Sequence, residues 1–207
     1  MSWDVNQILR KYLIMGSQNC LRDPVEVLQE AIDGGITAFQ FREKGAGSLS
    51  GDEKISLGLR LREICNQNNI PFFINDDIDL AERLDVDGIH VGQDDMPVDI
   101  LREKYPDLII GLSVSNEQEL KGSRVDLVNY LGAGPIFPTL TKDDVKPVVG
   151  VDWITSIKKQ YEQIPIVGIG GINTSNASSV IQAGAQGVAV ITAVTQAENI
   201  YSTVKKL

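Results

Sequence analysis

One histidine and two cysteines are all that 207 residues offer of the side chains most used in nucleophilic and metal chemistry. Cys20 and Cys65 stand far apart and match no redox or metal-ligand spacing, which excludes a disulfide framework and a cysteine-based zinc site and suits a reducing compartment. His90 lies mid-strand in "GIHVG" and reads as a packed, hydrogen-bonded core residue rather than a member of a Ser-His-Asp or Cys-His centre. Cationic charge is scarce too, with 19 Lys and Arg against 28 Asp and Glu and a net charge of -9. The basic residues gather in nothing larger than pairs, so nucleic acid would be repelled. No apolar run approaches the ~18 residues of a membrane span. Met1 to Leu9 carries Asp4 and no apolar core, so no secretory signal is expected. A soluble, cytoplasmic protein acting on small molecules is the expectation.

What the chain does have is a succession of short apolar runs. They are "YLIM" (12–15), "ITAFQF" (36–41), "IPFFI" (70–74), "DGIHV" (87–91), "DLIIGLSV" (107–114), "VNYLGAG" (128–134), "IPIVGI" (164–169) and "QGVAVIT" (186–192). Rich in Ile, Val and Phe and bounded by Gly, Pro, Asn or Asp, they predict eight buried strands. Helical spacing fills many gaps: Leu57, Leu61, Ile64 and Cys65; Trp153, Ile157 and Tyr161; Ala177, Val180 and Ile181 before a stop at Gly184; and Ala197, Ile200, Tyr201 and Val204. Eight strands alternating with helices imply parallel pairing and right-handed crossovers. They close most simply as a single-domain (β/α)8 TIM barrel over residues 1–207, with a doubly wound open sheet as the competing fold.

In a TIM barrel, chemistry collects where strands end. Strand two ends in "QFREK", whose period of two puts Gln40, Arg42 and Lys44 on one face and Phe39 and Phe41 on the other. Strand three delivers Asn75, Asp76 and Asp77, strand four Asp94 and Asp95, and strand five Ser113. Strand six leads into Thr139, Thr141 and Lys142, strand seven into "GIGGIN", and strand eight into Ile191 and Thr192. The glycine-rich turn lacks the third glycine of a dinucleotide fingerprint. It suits either a plain turn into a helix capped by Thr174 or Ser175, or a phosphate held on backbone N–H groups. Asp76 or Asp77 suits a cap for a helix near Ile78, and Asp95 for one begun by Pro97. Taken together beside Arg42, Lys44 and Lys142, two carboxylates at adjacent strand ends suggest Mg²⁺ with a phosphorylated ligand. Without a cation they would repel that ligand by roughly 4 kcal/mol per unit-charge pair at 4 Å.

Seven segments in order, "QFREK", "INDD", "DGIHVGQDD", "GLSV", "LGAGPIFPTLTK", "PIVGIGGI" and "GVAVITA", closely resemble the thiamine phosphate synthase family. The resemblance spans about Tyr12 to Ala197. It implies joining a pyrimidine diphosphate to a thiazole phosphate, giving thiamine phosphate and pyrophosphate. It further implies that Gln40, Arg42, Glu43, Lys44, Asn75, Ser113 and Lys142 meet the pyrimidine diphosphate, with Arg42, Lys44 and Lys142 stabilising its departure. Asp76 and Asp95 would hold Mg²⁺, and Thr139, Thr141, Gly171, Ile191 and Thr192 would surround the thiazole phosphate. Two departures stand out: Thr192 replaces an expected serine, and Asp143 and Asp144 make the 138–150 loop unusually acidic.

Two alternatives carry different requirements. A thiazole tautomerase of the same fold would need an acid/base group, such as a histidine, after strand five, where this chain has Ser113, Val114 and Ser115. Nor would it need the full set of Asn75, Asp76 and Asp95. A non-catalytic phosphate sensor would leave the charged rim unexplained. A homo-oligomer is compatible with the sequence.

Overall fold

The computed structural model describes residues 3–139, 141 and 146–207. The apolar runs form strands β1 (Lys11–Met15), β2 (Ala38–Phe41), β3 (Phe72–Asn75), β4 (Gly88–Val91), β5 (Ile109–Val114), β6 (Tyr130–Ala133), β7 (Ile166–Gly168) and β8 (Gly187–Val190). All pair in parallel and in sequence order, and β8 returns to β1 with Lys11 opposite Val188, closing the (β/α)8 TIM barrel. The helices are α1 (Val5–Ile8), α2 (Pro24–Gly34), α3 (Gly51–Gln67), α4 (Ile78–Leu84) and α5 (Val98–Lys104), then α6 (Glu117–Gly122), α7 (Asp152–Gln160), α8 (Ala177–Gln182), α9 (Thr192–Thr195) and α10 (Ile200–Lys205). None of the described helices is long and apolar enough to cross a membrane.

Strand alternation divides the core in two. Phe39, Phe41, Phe72 and Ile74 belong to the layer shared with the helices, whereas Tyr12, Ile14, Phe73, Tyr130, Val167 and Ala189 pack together inside the barrel. Rings from β1, β3 and β6 meet there: Tyr12 and Phe73 lie 5.3 Å apart, Phe73 and Tyr130 6.1 Å. Large rings fit because glycine occupies inward positions on neighbouring strands. A Cβ at Gly88 would come within 2.4 Å of Phe73, and one at Gly111 within 2.2 Å of Tyr130. Each aromatic or aliphatic side chain buried this way stabilises the fold by about 1.5–3 kcal/mol.

The closed end of the barrel repeats one hydrogen bond four times. Near the start of each odd strand a backbone N–H donates to a side-chain oxygen that precedes the next even strand. Lys11 donates to Thr37 (2.8 Å), Phe72 to Asp87 (2.8 Å), Ile110 to Asn129 (2.8 Å) and Ile166 to Gln186 (2.6 Å). These amides would otherwise be among the unpaired donors that buried backbone cannot tolerate. Asp87 is further held by Arg62 at 2.9 Å and by the Trp3 indole at 3.1 Å.

Helix boundaries follow local chemistry with some exceptions. Asp77 caps α4 by accepting from the Leu80 amide at 3.0 Å, and Gly184, at φ 107°, follows the end of α8. Asp95 is not a cap: Pro97 occupies that position for α5, and Asp95 turns back to accept from the Gly92 amide at 2.6 Å. Neither Thr174 nor Ser175 caps α8, whose first turn is preceded by Asn176. Ile181 and Tyr201 face solvent, because the neighbouring faces of α8 and α10 are already filled by Val180, Ile200 and Val204.

Burial alone would raise the Asp77 carboxyl. Its ion pair with Lys54 and its bond to the Leu80 amide outweigh that and hold it below the ordinary 3.8. A carboxyl depressed in the folded state adds stability above its unfolded pKa, and the gain is lost as pH falls through the folded value. Asp77→Asn should therefore lower the unfolding midpoint at neutral pH, with the gap to wild type narrowing below pH ~4 in an acid series of melts. Gly111→Ala should cost about 1–3 kcal/mol through overpacking against Tyr130, measured by urea unfolding.

Candidate active site

The polar strand ends meet at the open mouth of the barrel. Gln40, inward on β2 and almost fully buried, donates from Nε2 to the Tyr12 hydroxyl at 2.8 Å. Arg42 follows one turn of the pleat higher, is only 8% exposed, and has its amide fixed to the Met15 carbonyl at 2.9 Å. Its guanidinium makes no hydrogen bond or ion pair among the described residues. It lines a pocket with Gln18, Asn19, Lys44, Gly45 and Thr141. A cation so withdrawn from water without a carboxylate is poised for an anion.

Beside it, the Lys44 ammonium bonds Asp76 Oδ2 at 2.6 Å, which raises the lysine's pKa. Asp95 and Arg42 act on the same ammonium through space, so the four charges share one neighbourhood. Asn75 Nδ2 donates to the same Asp76 oxygen at 2.8 Å. Asp76 takes a left-handed backbone, φ 52°, a conformation Asp tolerates better than most residues. Its amide donates to the His90 carbonyl at 3.0 Å, fixing the turn to β4.

Glu43 is differently used. Its carboxylate accepts from the Ser17 amide and the Leu49 amide, each at 2.7 Å, and from the Ser17 hydroxyl at 2.5 Å. Both oxygens are thereby committed to tying the loops after β1 and β2 together, a strut's role rather than a ligand's. Burial, with Glu43 and Asp23 adding to it, pushes the adjacent Cys20 thiol up to about 12, which leaves it inert as a nucleophile near neutral pH.

Ser113, on β5, bonds His90 Nε2 at 2.8 Å, and His90 Nδ1 in turn meets the Tyr130 hydroxyl at 3.0 Å. The histidine is a buried, hydrogen-bonded residue, as its mid-strand position predicts. Across the mouth, the Thr139 and Thr141 hydroxyls are 3.2 Å apart. That loop sits directly on the glycine turn: Phe137 N–H donates to the Gly170 carbonyl, and a Cβ at Gly171 would lie 2.5 Å from the Pro138 carbonyl. Asn176 clasps the turn from the other side, donating to the Gly171 carbonyl at 3.0 Å. Ile191 and Thr192 form the junction between β8 and α9. Lys142, Asp143 and Asp144 lie outside the described residues.

Arg42, Lys44, Asn75, Asp76 and Asp95 thus come together, and Thr141 reaches the same pocket as Arg42. Thr141, which the resemblance gives to the thiazole phosphate, borders Arg42 and Lys44, which it gives to the diphosphate. Ser17, Gln18 and Asn19, at the end of β1, were missed; the strand-end rule finds them once it is applied to the first strand. Gln18 donates from Nε2 to the carbonyls of Arg42 (3.0 Å) and Lys44 (3.1 Å). As a donor set, Asp76 and Asp95 fit a hard divalent ion that takes one or two carboxylates and completes its shell with phosphate and water. Among the described residues no third Asp, Glu, His or Cys joins them.

Comparisons with known proteins bear on the family. The family model for thiamine monophosphate synthase matches residues 11–194. A thiamine-phosphate synthase of Oceanobacillus iheyensis is 57% identical over 200 residues, covering 97% of both chains. One from Bacillus cereus is 50% identical over 204 residues, covering 99% of this chain and 93% of the relative. Among solved structures, a thiamine phosphate pyrophosphorylase from Pyrococcus furiosus superposes with a TM-score of 0.87 at 36% identity, covering 99% of this chain and 96% of the other. By sequence over nearly its whole length and by fold, the chain belongs to the thiamine monophosphate synthase family.

Proposed function

We propose that this transferase joins the methylene carbon of an aminopyrimidine diphosphate to the ring nitrogen of a thiazole phosphate, with Mg²⁺, in the cytoplasm. The C–O bond to the diphosphate breaks and its electron pair leaves with pyrophosphate. The thiazole nitrogen's lone pair then forms the new C–N bond. That nitrogen carries no proton, so no general base is required at the nucleophile. A mouth whose one buried histidine is already bonded on both ring nitrogens suits such a reaction.

Arg42 is the observation that carries this reading. Arg42 as a residue is only 8% exposed, its guanidinium meets no carboxylate among the described residues, and it would take the diphosphate oxygens as a planar fork. Lys44 would add a point charge, moving from Asp76 toward the anion, and Lys142 a further one by resemblance. Asp76 and Asp95 would hold Mg²⁺, which when bound supplies neutralisation of charge on the leaving group. Gln40, Asn75 and Ser113 would orient the pyrimidine. The Thr139 and Thr141 hydroxyls, with the Gly171 turn and the Ile191–Thr192 junction, would seat the thiazole phosphate.

Purified protein given both substrates and Mg²⁺ should release thiamine phosphate and pyrophosphate in equal amounts; no product under these conditions would defeat the proposal. Arg42→Gln should lower kcat by about 10²–10³-fold, the usual loss of a preorganised charge stabiliser, with the thermal melt little changed. EDTA should bring turnover to background and excess Mg²⁺ restore it. Turnover that continues at full rate in EDTA would remove the metal from the scheme.

A further inference from the structure

Four hydrogen bonds run without a break across the barrel lumen, from β2 to β5. Gln40 Nε2 meets the Tyr12 hydroxyl at 2.8 Å, Tyr12 meets Tyr130 at 3.1 Å, Tyr130 meets His90 Nδ1 at 3.0 Å, and His90 Nε2 meets Ser113 Oγ at 2.8 Å. Its two ends are groups assigned above to the substrate. Its three middle members are not. We propose that Tyr12, Tyr130 and His90 are positioning residues whose hydrogen bonds all point one way, fixing the Gln40 amide and turning the Ser113 hydroxyl hydrogen into the mouth.

The direction follows from counting protons. A tyrosine hydroxyl has one hydrogen to donate. Tyr12 is 1% exposed, and among the described residues its hydroxyl meets only Gln40 and Tyr130. Its oxygen receives the Gln40 N–H, so its own hydrogen goes to Tyr130. Tyr130, fully buried, passes its hydrogen to His90 Nδ1. A ring nitrogen that accepts carries no proton, so the imidazole proton sits on Nε2 and is donated to Ser113 Oγ. Among the described residues Ser113 then has no other use for its own hydrogen, and half-buried at the rim it can donate to a ligand. Gln40, with one N–H committed to Tyr12, keeps its carbonyl for a donor such as a ring amine.

Turning the amide over would reverse every bond and move the imidazole proton to Nδ1. The faces shown by Gln40 and by Ser113 are therefore one coupled variable. The lumen is shaped to keep the chain intact: a Cβ at Gly111 would sit 2.6 Å from His90 Nδ1, and one at Gly132 3.0 Å from His90 Cε1. Neither strand could carry a larger residue and leave the rings in hydrogen-bond range.

Because the chain contains one histidine, ¹⁵N-histidine NMR of the whole protein reads its tautomer without assignment. At pH 7 His90 should be neutral with the proton on Nε2. Tyr130→Phe, which keeps the ring but removes the link, should shift the Nδ1 resonance. If that variant fails to fold, Ser113→Ala should shift Nε2 and leave Nδ1 in place. An Nδ1–H tautomer, an imidazolium, or resonances unmoved by these changes would overturn the proposal.

A kinetic arm rests on the reading of Gln40 and Ser113 as substrate contacts. Tyr130→Phe should lower kcat/KM for the pyrimidine substrate about tenfold, the scale of one or two buried hydrogen bonds, without changing KM for the thiazole. The same substitution should cost less in a Ser113→Ala background, since coupled residues are not additive. Equal losses in both backgrounds would refute the coupling. An inactive wild type would sink the proposed reaction and leave the NMR result to decide the chain.

Discussion

Holding Arg42 largely buried at the pocket's edge, with no carboxylate paired to its guanidinium among the described residues, is the constraint around which the mouth is organised. A charge in that position is unfavourable unless something anionic arrives or neighbouring dipoles receive it. The protein holds the strand end in place by other means. Glu43, next in sequence, could have neutralised Arg42, but both of its oxygens are occupied by Ser17 and Leu49. Asp76, in the same neighbourhood, is taken by Lys44 and Asn75. Among the described residues both of these acids have other partners, and the cation is left for the ligand. A net charge of -9 repels anionic substrates at long range, so Arg42 and the neighbouring Lys44 have to receive them at short range.

The rim's two kinds of polar residue answer to different physics. Asp77 and Glu43 serve the fold, one as a helix cap and the other as a tie between loops, and each is satisfied in the absence of ligand. Asp76 is held in a left-handed turn, and Arg42 is desolvated. These are states that backbone and side chain adopt against their own preference, as active sites commonly require. Adjacent positions in "REK" and "NDD" thus do opposite work, one half supplying rigidity and the other half reactivity.

Much of this was legible from the chain. The strand runs are bounded by turn residues, the count of eight favours a closed barrel over an open sheet, and period-two alternation separates Gln40 and Arg42 from Phe39 and Phe41. Helix faces were harder to read. Ile181 and Tyr201 carry the right spacing yet face solvent, because spacing identifies a stripe and not its width. Of the two readings open for Asp95, a helix cap and an ion ligand, the cap is removed by the backbone N–H of Gly92, which takes the carboxylate. The tyrosines of the lumen could not have been found at all. Tyr12 and Tyr130 are 118 residues apart, and only closure of the barrel brings their hydroxyls to 3.1 Å.

The four side-chain clasps at the closed end have a consequence for how the molecule can change over generations. Thr37, Asp87, Asn129 and Gln186 complete the hydrogen bonding of successive strand pairs with no help from the opposite rim. Each quarter of the barrel is therefore anchored from underneath, and the loops above it share that duty only where a tie such as Glu43 joins them. New specificity can be tried in those loops one quarter at a time, because a failed experiment at the top leaves the foundation standing.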